Sequence, residues 1–380
     1  MTEKIKTMKR KYILAAVLAA SVFAGIQACK KSSSGSQTTD DNAFDRKAML
    51  TNVSANIIVP AYTAFKQNTS DLDLAVSAFI GAPDVAKLMA LQNAFVIAYK
   101  QWQSTSAFEF GPAAQINLGV NVNTYPANID QINANIKADT YNPQLLANLA
   151  AKGLPAIDYL IFGVGIDNAS ILSQYTTDPN ATKRKKYLAA LSTELKTEAA
   201  TVSAGWSSAY QSTFVNASGT DVGSSVGQLL NQLVYDFEIL KNFEVGIPAG
   251  TQSMGTTFPT KVQAYYSKIS VQLALLHLQA IQNIYLGKSS AGDGLGFDDY
   301  LVKANAKYLG GSLNDAIKNQ FSTATAKLQT LTDPLSDQIK TNPAAVTAAY
   351  TELQKLTVLL KTDMTSSLGI LITYGDNDGD

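Results

Sequence analysis

The sequence predicts an all-α protein built from two related helical bundles. Two observations carry the helical class. From Phe44 onward apolar residues recur at spacings of three and four, and no segment keeps a two-residue alternation bounded by turn chemistry. A third observation carries the pairing of bundles. Phe108-Glu109-Phe110-Gly111-Pro112-Ala113 is echoed, with one inserted residue, by Phe243-Glu244-Val245-Gly246-Ile247-Pro248-Ala249. Further on, Gly153-Leu154-Pro155-Ala156-Ile157-Asp158-Tyr159-Leu160 and Gly294-Leu295-Gly296-Phe297-Asp298-Asp299-Tyr300-Leu301 agree at five of eight positions. Two echoes in the same order and at similar spacing point to a duplicated half-chain. The expected divisions are a first bundle over 44–180 and a second, with a C-terminal helix, over 181–380.

The first 43 residues precede either bundle. Lys4, Lys6, Lys9, Arg10 and Lys11 form a basic start, and Ile13 to Ile26 is an apolar run too short for a typical membrane span. Ile26-Gln27-Ala28-Cys29 then reads as a bacterial lipobox, and Cys29 is the only cysteine of the chain. Residues 1–29 are therefore expected to be a lipoprotein signal peptide with Cys29 as the lipidated residue. The alternative is an ordinary secretory signal holding a chance cysteine. Residues 30–43, rich in Ser, Thr and Asp, have nothing to bury and read as a flexible tether. The expected location is the cell envelope, lipid-anchored to the outer membrane, with the periplasmic side and the cell surface both open.

The helical pattern is then taken in order. Phe44 to Phe65 is the first helix. Val85, Leu88, Met89, Gln92, Phe95, Val96, Tyr99 and Trp102 mark the buried face of the second, with Pro83 in its first turn and Gly111-Pro112 as its end. Asn117 to Asp139 should hold a loop and one short helix, broken at Tyr125-Pro126. Asn142-Pro143 resembles a helix entry, while Gly153 and Pro155 must bend or restart the run that follows. Asp167 to Asn180 looks like a turn, and Thr182 to Tyr210 a long helix. Val226, Leu229, Leu230, Leu233, Val234, Phe237 and Leu240 give the clearest amphipathic face. Gly246 to Pro259 is loop, and Val262 to Ala280 a further apolar face, stopped at Gly287. Ser312 to Ile339 and Asn342 to Leu368 complete the set.

Phe108 to Pro112, Gly153 to Gly163 and the terminus Leu368 to Asp380 resemble the imelysin family of bacterial envelope proteins, in order and over the chain from about Phe44. The resemblance implies an all-helical fold of two related bundles and a Gly-x-His-x-x-Glu signature near a cleft between them. It also implies a link to iron uptake and a history of classification among metallopeptidases. Here Gly153 matches the signature glycine, but Pro155 stands in place of the histidine and Asp158 in place of the glutamate. Pro155 offers no ligand atom, so a His-x-x-Glu metal site is not expected.

The candidate cleft residues are Asp158, Glu109, Gly153, Pro155 and Tyr159, with the repeat partners Asp299 and Glu244. Asp158 is either a polar cleft residue or a cap on the helix restarting after Pro155. Glu109 and Glu244 are either buried carboxylates facing the repeat axis or helix-end residues bonded to loop amides. His277, the sole histidine, is expected to be structural and half-buried, and Tyr99 and Trp102 to be core. Asp376, Asp378 and Asp380 imitate the start of a calcium loop but lack its later ligands.

Lys plus Arg and Asp plus Glu balance at 30 each, and Lys183-Arg184-Lys185-Lys186 is the only basic tract, so nucleic acid is not an expected partner. The functional expectation is a non-catalytic binding component of iron or haem uptake, with uptake proteins as partners. The alternatives are a metallopeptidase of the imelysin type and a scaffold docking on an outer-membrane transporter. No cofactor is specified by the ligand inventory.

Overall fold

The computed structural model describes residues 43–375. Cys29, the signal segment, the tether up to residue 42 and the aspartates at 376, 378 and 380 lie outside the described residues. Arg46–Asn52 (α1) is opened by Asp45, whose carboxylate accepts the Ala48 amide. A wider π turn, Val53–Ile58, leads without a break into Val59–Gly81 (α2), with Pro60 where the π turn passes into α-helix. The first helical run extends past the expected Phe65 because Leu72, Val76 and Phe79 keep its apolar face buried.

Val85–Trp102 (α3) is capped by Asp84, which accepts the Lys87 amide at 2.7 Å, so Pro83 precedes the helix instead of entering it. Its buried face is Leu88, Leu91, Phe95, Ala98, Tyr99 and Trp102, whereas Val85 and Met89 are exposed. The helix stops at Trp102, short of the expected Gly111-Pro112. Two short helices, Leu118–Asn123 and Ile129–Ala138 (α4), occupy the stretch where one was expected. Asn142-Pro143 opens no α-helix; a 3₁₀ segment, Leu146–Ala151, follows it.

Gly153–Asp158 (α5) begins at Gly153 with φ +66°, where a Cβ would fall 2.3 Å from the Val122 carbonyl oxygen. Only glycine fits that approach. Pro155 sits in the first turn, so it removes no helical hydrogen bond. A π turn, Tyr159–Gly163, continues the helix. The span from Asp167 to Asn180, expected to be a turn, contains Asn168–Thr176 (α6). Asp167 and Ser170 cap it reciprocally, with Ser170 in the place where a capping box usually has Glu or Gln.

Ala181–Gly205 (α7) packs along α2, so elements on either side of residue 180 share buried surface. A π turn at Trp206–Tyr210 extends it into an aromatic cluster. Phe110 stacks on Phe214 at 5.5 Å, and Trp206 meets Phe110 edge-on at 5.8 Å. The cluster pins the segment that carries Glu109. Ser225–Glu238 (α8) buries the expected apolar face and runs into a π stretch, Ile239–Gly246.

Ser270–Tyr285 (α9) starts eight residues later than the Val262 expected from apolar spacing. Ala264 and Lys268 take φ of 54° and 60°, which an α-helix of L-residues does not tolerate, so 262–269 is a strained loop. Leu313–Leu328 (α10), Leu335–Thr341 (α11) and Pro343–Thr357 (α12) follow, with Asn342 capping α12, and the last run continues through a π turn, Val358–Met364, to the expected end at Leu368. The strands among the described residues are two antiparallel ribbons, Lys288–Ser289 with Gly292–Asp293 and Lys307–Tyr308 with Gly311–Ser312. The fold is all-α.

Candidate functional site

Three elements meet around the sole histidine. Asp236 lies near the end of α8, Glu244 on the π stretch that follows, and His277 in the middle of α9. On an uninterrupted α-helix, residues eight apart sit roughly 80° out of line. The wider π turn takes up that excess, so Asp236 and Glu244 grip the same imidazole. His277 Nε2 donates to Asp236 Oδ2 at 2.7 Å, and Nδ1 donates to Glu244 Oε1 at 2.8 Å. Expected to be half-buried, the ring is almost completely enclosed, at 1% exposure.

Burial by itself would lower the His277 pKa. The two carboxylates outweigh it and push the imidazole up to about 10, so it is an imidazolium at neutral pH. Ser106 Oγ lies 3.4 Å from Nε2, which on paper completes a Ser-His-Glu relay with Glu244 behind the ring. Asp236 prevents it. It occupies Nε2 and accepts the Ser106 hydroxyl at 3.0 Å, leaving no free imidazole base. With both ring nitrogens donating, His277 also has no lone pair for a metal. Among the described residues, no group of three or more His, Cys, Asp and Glu is arranged to hold a metal ion.

This trio forms one wall of a cavity of about 240 Å³, bordered elsewhere by Trp102, Tyr125, Tyr235 and Glu109. Glu109 follows a 3₁₀ turn after α3 and accepts the Gly119 amide at 2.9 Å. Burial pushes its carboxyl above the usual range, against the pull of the Gly119 and Leu118 amides, and Asp236 adds to the rise. Two buried atoms of cavity-lining residues are unpaired, Glu244 Oε2 and the Tyr125 hydroxyl.

Asp158 borders a second cavity, of about 200 Å³, together with Pro155, Tyr125 and Tyr266. It stands at the C-terminal end of α5, so it does not cap the helix restarting near Pro155. Its oxygens accept the Tyr266 and Ser267 amides, each at 2.9 Å. The carboxylate thus clamps the strained loop between Ala264 and Lys268. Burial pushes Asp158 up to about 6 in spite of the two amides. Tyr159 packs its ring on Tyr266 at 5.3 Å, and Gly163 leaves room for that ring.

Of the residues singled out from the sequence, Glu109 and Glu244 line the first cavity, and Asp158 and Pro155 the second. Tyr125 borders both. Gly153 serves the backbone approach described above. Asp299 accepts the Gly296 amide at 3.0 Å at its own helix start, and Tyr300 stacks on Phe44 at 4.6 Å. The two copies of the octet therefore work in different settings. Asp236 went unnoticed in the sequence because nothing about an Asp inside an amphipathic helix distinguishes it. The signal available was the sole histidine, whose burial demands partners.

A family model described as Imelysin matches residues 58–361. The chain belongs to the imelysin family. It is 27% identical over 139 residues to iron-regulated protein A of Synechococcus elongatus, a stretch covering 37% of this imelysin and 34% of that protein. The chain thus matches about a third of that relative's length. The crystal structure of a putative iron-regulated protein A precursor from Parabacteroides distasonis superposes with a TM-score of 0.70 at 15% identity, covering 88% of this chain and 97% of that one. An imelysin-like protein from Psychrobacter arcticum gives 0.64 at 18% identity, covering 87% and 97%. At such identities these structures establish the fold of this imelysin, and its site chemistry rests on its own residues.

Proposed function

We propose that this imelysin is a non-catalytic, small-ligand-binding component of the cell envelope, anchored by a lipid on Cys29 and acting in iron or haem uptake. The observation that carries the reading is the commitment of its titratable groups. His277 is held as an imidazolium between Asp236 and Glu244, and Asp158 is spent on the Tyr266 and Ser267 amides. His277, Asp236 and Glu244 border a cavity whose lining residues carry unpaired polar atoms, which is a binding arrangement. The names of the Synechococcus and Parabacteroides proteins tie those relatives to regulation by iron, and that supports the same setting here. A space of about 240 Å³ is too small for a porphyrin, so the ligand of this cavity is smaller than haem. The lipobox supports the anchor.

The test is a strain lacking the chain, grown under iron limitation and supplied with labelled iron or haem. Uptake should fall and return with the intact gene, whereas unchanged uptake overturns the iron link. In the same strain, Cys29→Ser should move the protein from the membrane to the soluble fraction. Chelator-sensitive cleavage of unfolded protein substrates would favour a peptidase instead.

A further inference from the structure

We propose that the cavity beside His277 binds a small organic ammonium ion. The inference rests on the binding reading above and adds the chemical class of the ligand. Its first support is Glu244, which is only 4% exposed. One of its oxygens takes the His277 Nδ1 proton, while Oε2 of this cavity-lining residue is buried with no hydrogen-bond partner. A buried anionic oxygen left unpaired is costly, and a donor bearing positive charge is the group that relieves it best.

Charge around the cavity points the same way. Glu109, Asp236 and Glu244 contribute carboxyl groups to its wall against the single imidazolium of His277, and no Lys or Arg lines it. An entering carboxylate or phosphate would meet repulsion. A cation gains attraction, and Trp102, Tyr125 and Tyr235 add aromatic surface to the lining.

The arrangement of acceptors separates an ammonium from a metal ion. Asp236 Oδ2 already accepts from Ser106 and His277, and Glu109 Oε2 from Gly119. His277 can give nothing. The unpaired Glu244 Oε2 and Tyr125 hydroxyl suit the N–H donors of an ammonium, and among the described residues no group of three or more His, Cys, Asp and Glu is arranged to hold a metal ion. The cavity volume of about 240 Å³ falls below the roughly 300 Å³ where sites for drug-sized ligands begin, so the ligand has few heavy atoms.

Calorimetric titration of the folded chain with n-butylammonium, n-butanol, butyrate and Zn²⁺, at fixed ionic strength, tests this. Saturable binding of butylammonium is expected, at least tenfold tighter than butanol, with no butyrate binding. Glu244→Gln should weaken butylammonium at least tenfold. Tyr125→Phe, which removes only a hydroxyl, should weaken it severalfold even where the Glu244 variant folds poorly. Butanol or butyrate binding as well as butylammonium overturns the ammonium inference and leaves the binding reading standing, as does Zn²⁺ binding in its place. Failure of every probe to bind overturns both. Equal butylammonium affinity in the parent and both variants overturns the assignment to this cavity.

Discussion

Replacing His277 by Gln tests whether the cavity wall is held by a buried charged trio. In the parent, the imidazolium gives both of its protons to carboxylates at 2.7 and 2.8 Å. Gln keeps some of the shape but supplies no charge, so Asp236 and Glu244 face each other with no positive charge between them. Removing one member of a buried ionic group costs about 3–5 kcal/mol, because the remaining charge stays desolvated. Spread over roughly 330 residues at about 2.1 cal/mol/K each, a loss of about 4 kcal/mol lowers Tm by about 6 °C.

The pH dependence carries a second, independent sign. The folded pKa of His277 is raised from 6.5 to about 10. Its stabilisation is therefore complete below the unfolded value and is lost as pH rises from 6.5 through 10, at up to about 1.4 kcal/mol per pH unit. Urea denaturation of the parent across that window should show the fall, and His277→Gln should flatten it. Because His277 is the sole histidine, its ring can be titrated by NMR without ambiguity, on protein carrying no polyhistidine tag. A Tm within about 1 °C of the parent, with the same pH slope in both proteins, would refute the buried trio.

Asp236→Asn should bring the His277 midpoint down from about 10, since a carboxylate is lost while a hydrogen-bonding oxygen is kept; the same NMR titration reads it. Asp158→Asn keeps one acceptor oxygen but turns an N–H donor towards the other amide, at a cost of about 1–3 kcal/mol. Hydrogen exchange at Tyr266 and Ser267 should accelerate in that variant. Because Asp158 titrates higher when folded, about 6 against an ordinary 3.8, it stabilises most below the unfolded value. That contribution is lost as pH rises through 6, and the Asn variant should lack this slope in denaturation between pH 4 and 7. Gly163→Ala would place a Cβ 2.4 Å from the Tyr266 ring and 2.8 Å from Tyr159, so a Tm drop worth about 1–3 kcal/mol of overpacking is expected by calorimetry.

Composition and spacing alone determined the class of fold. The apolar rows of α3 and α8 follow the helical period closely enough to be read directly, because burial of one face is a local constraint written residue by residue. The same rule failed where backbone geometry was decided from elsewhere. Val262 to Ile269 has helical spacing, yet it is a loop, because Asp158, more than a hundred residues earlier, holds its amides in a strained form. Glu109 and Glu244 were noticed through their repeat, and Pro155 through its place in the family signature. Only tertiary structure separated Asp158 from Glu109 into two cavities and joined Glu244 to Asp236 around one imidazole. A π turn, whose extra width has no signature in residue type, sets that last alignment, and a charge's partners across the chain are fixed by packing rather than by neighbours in sequence.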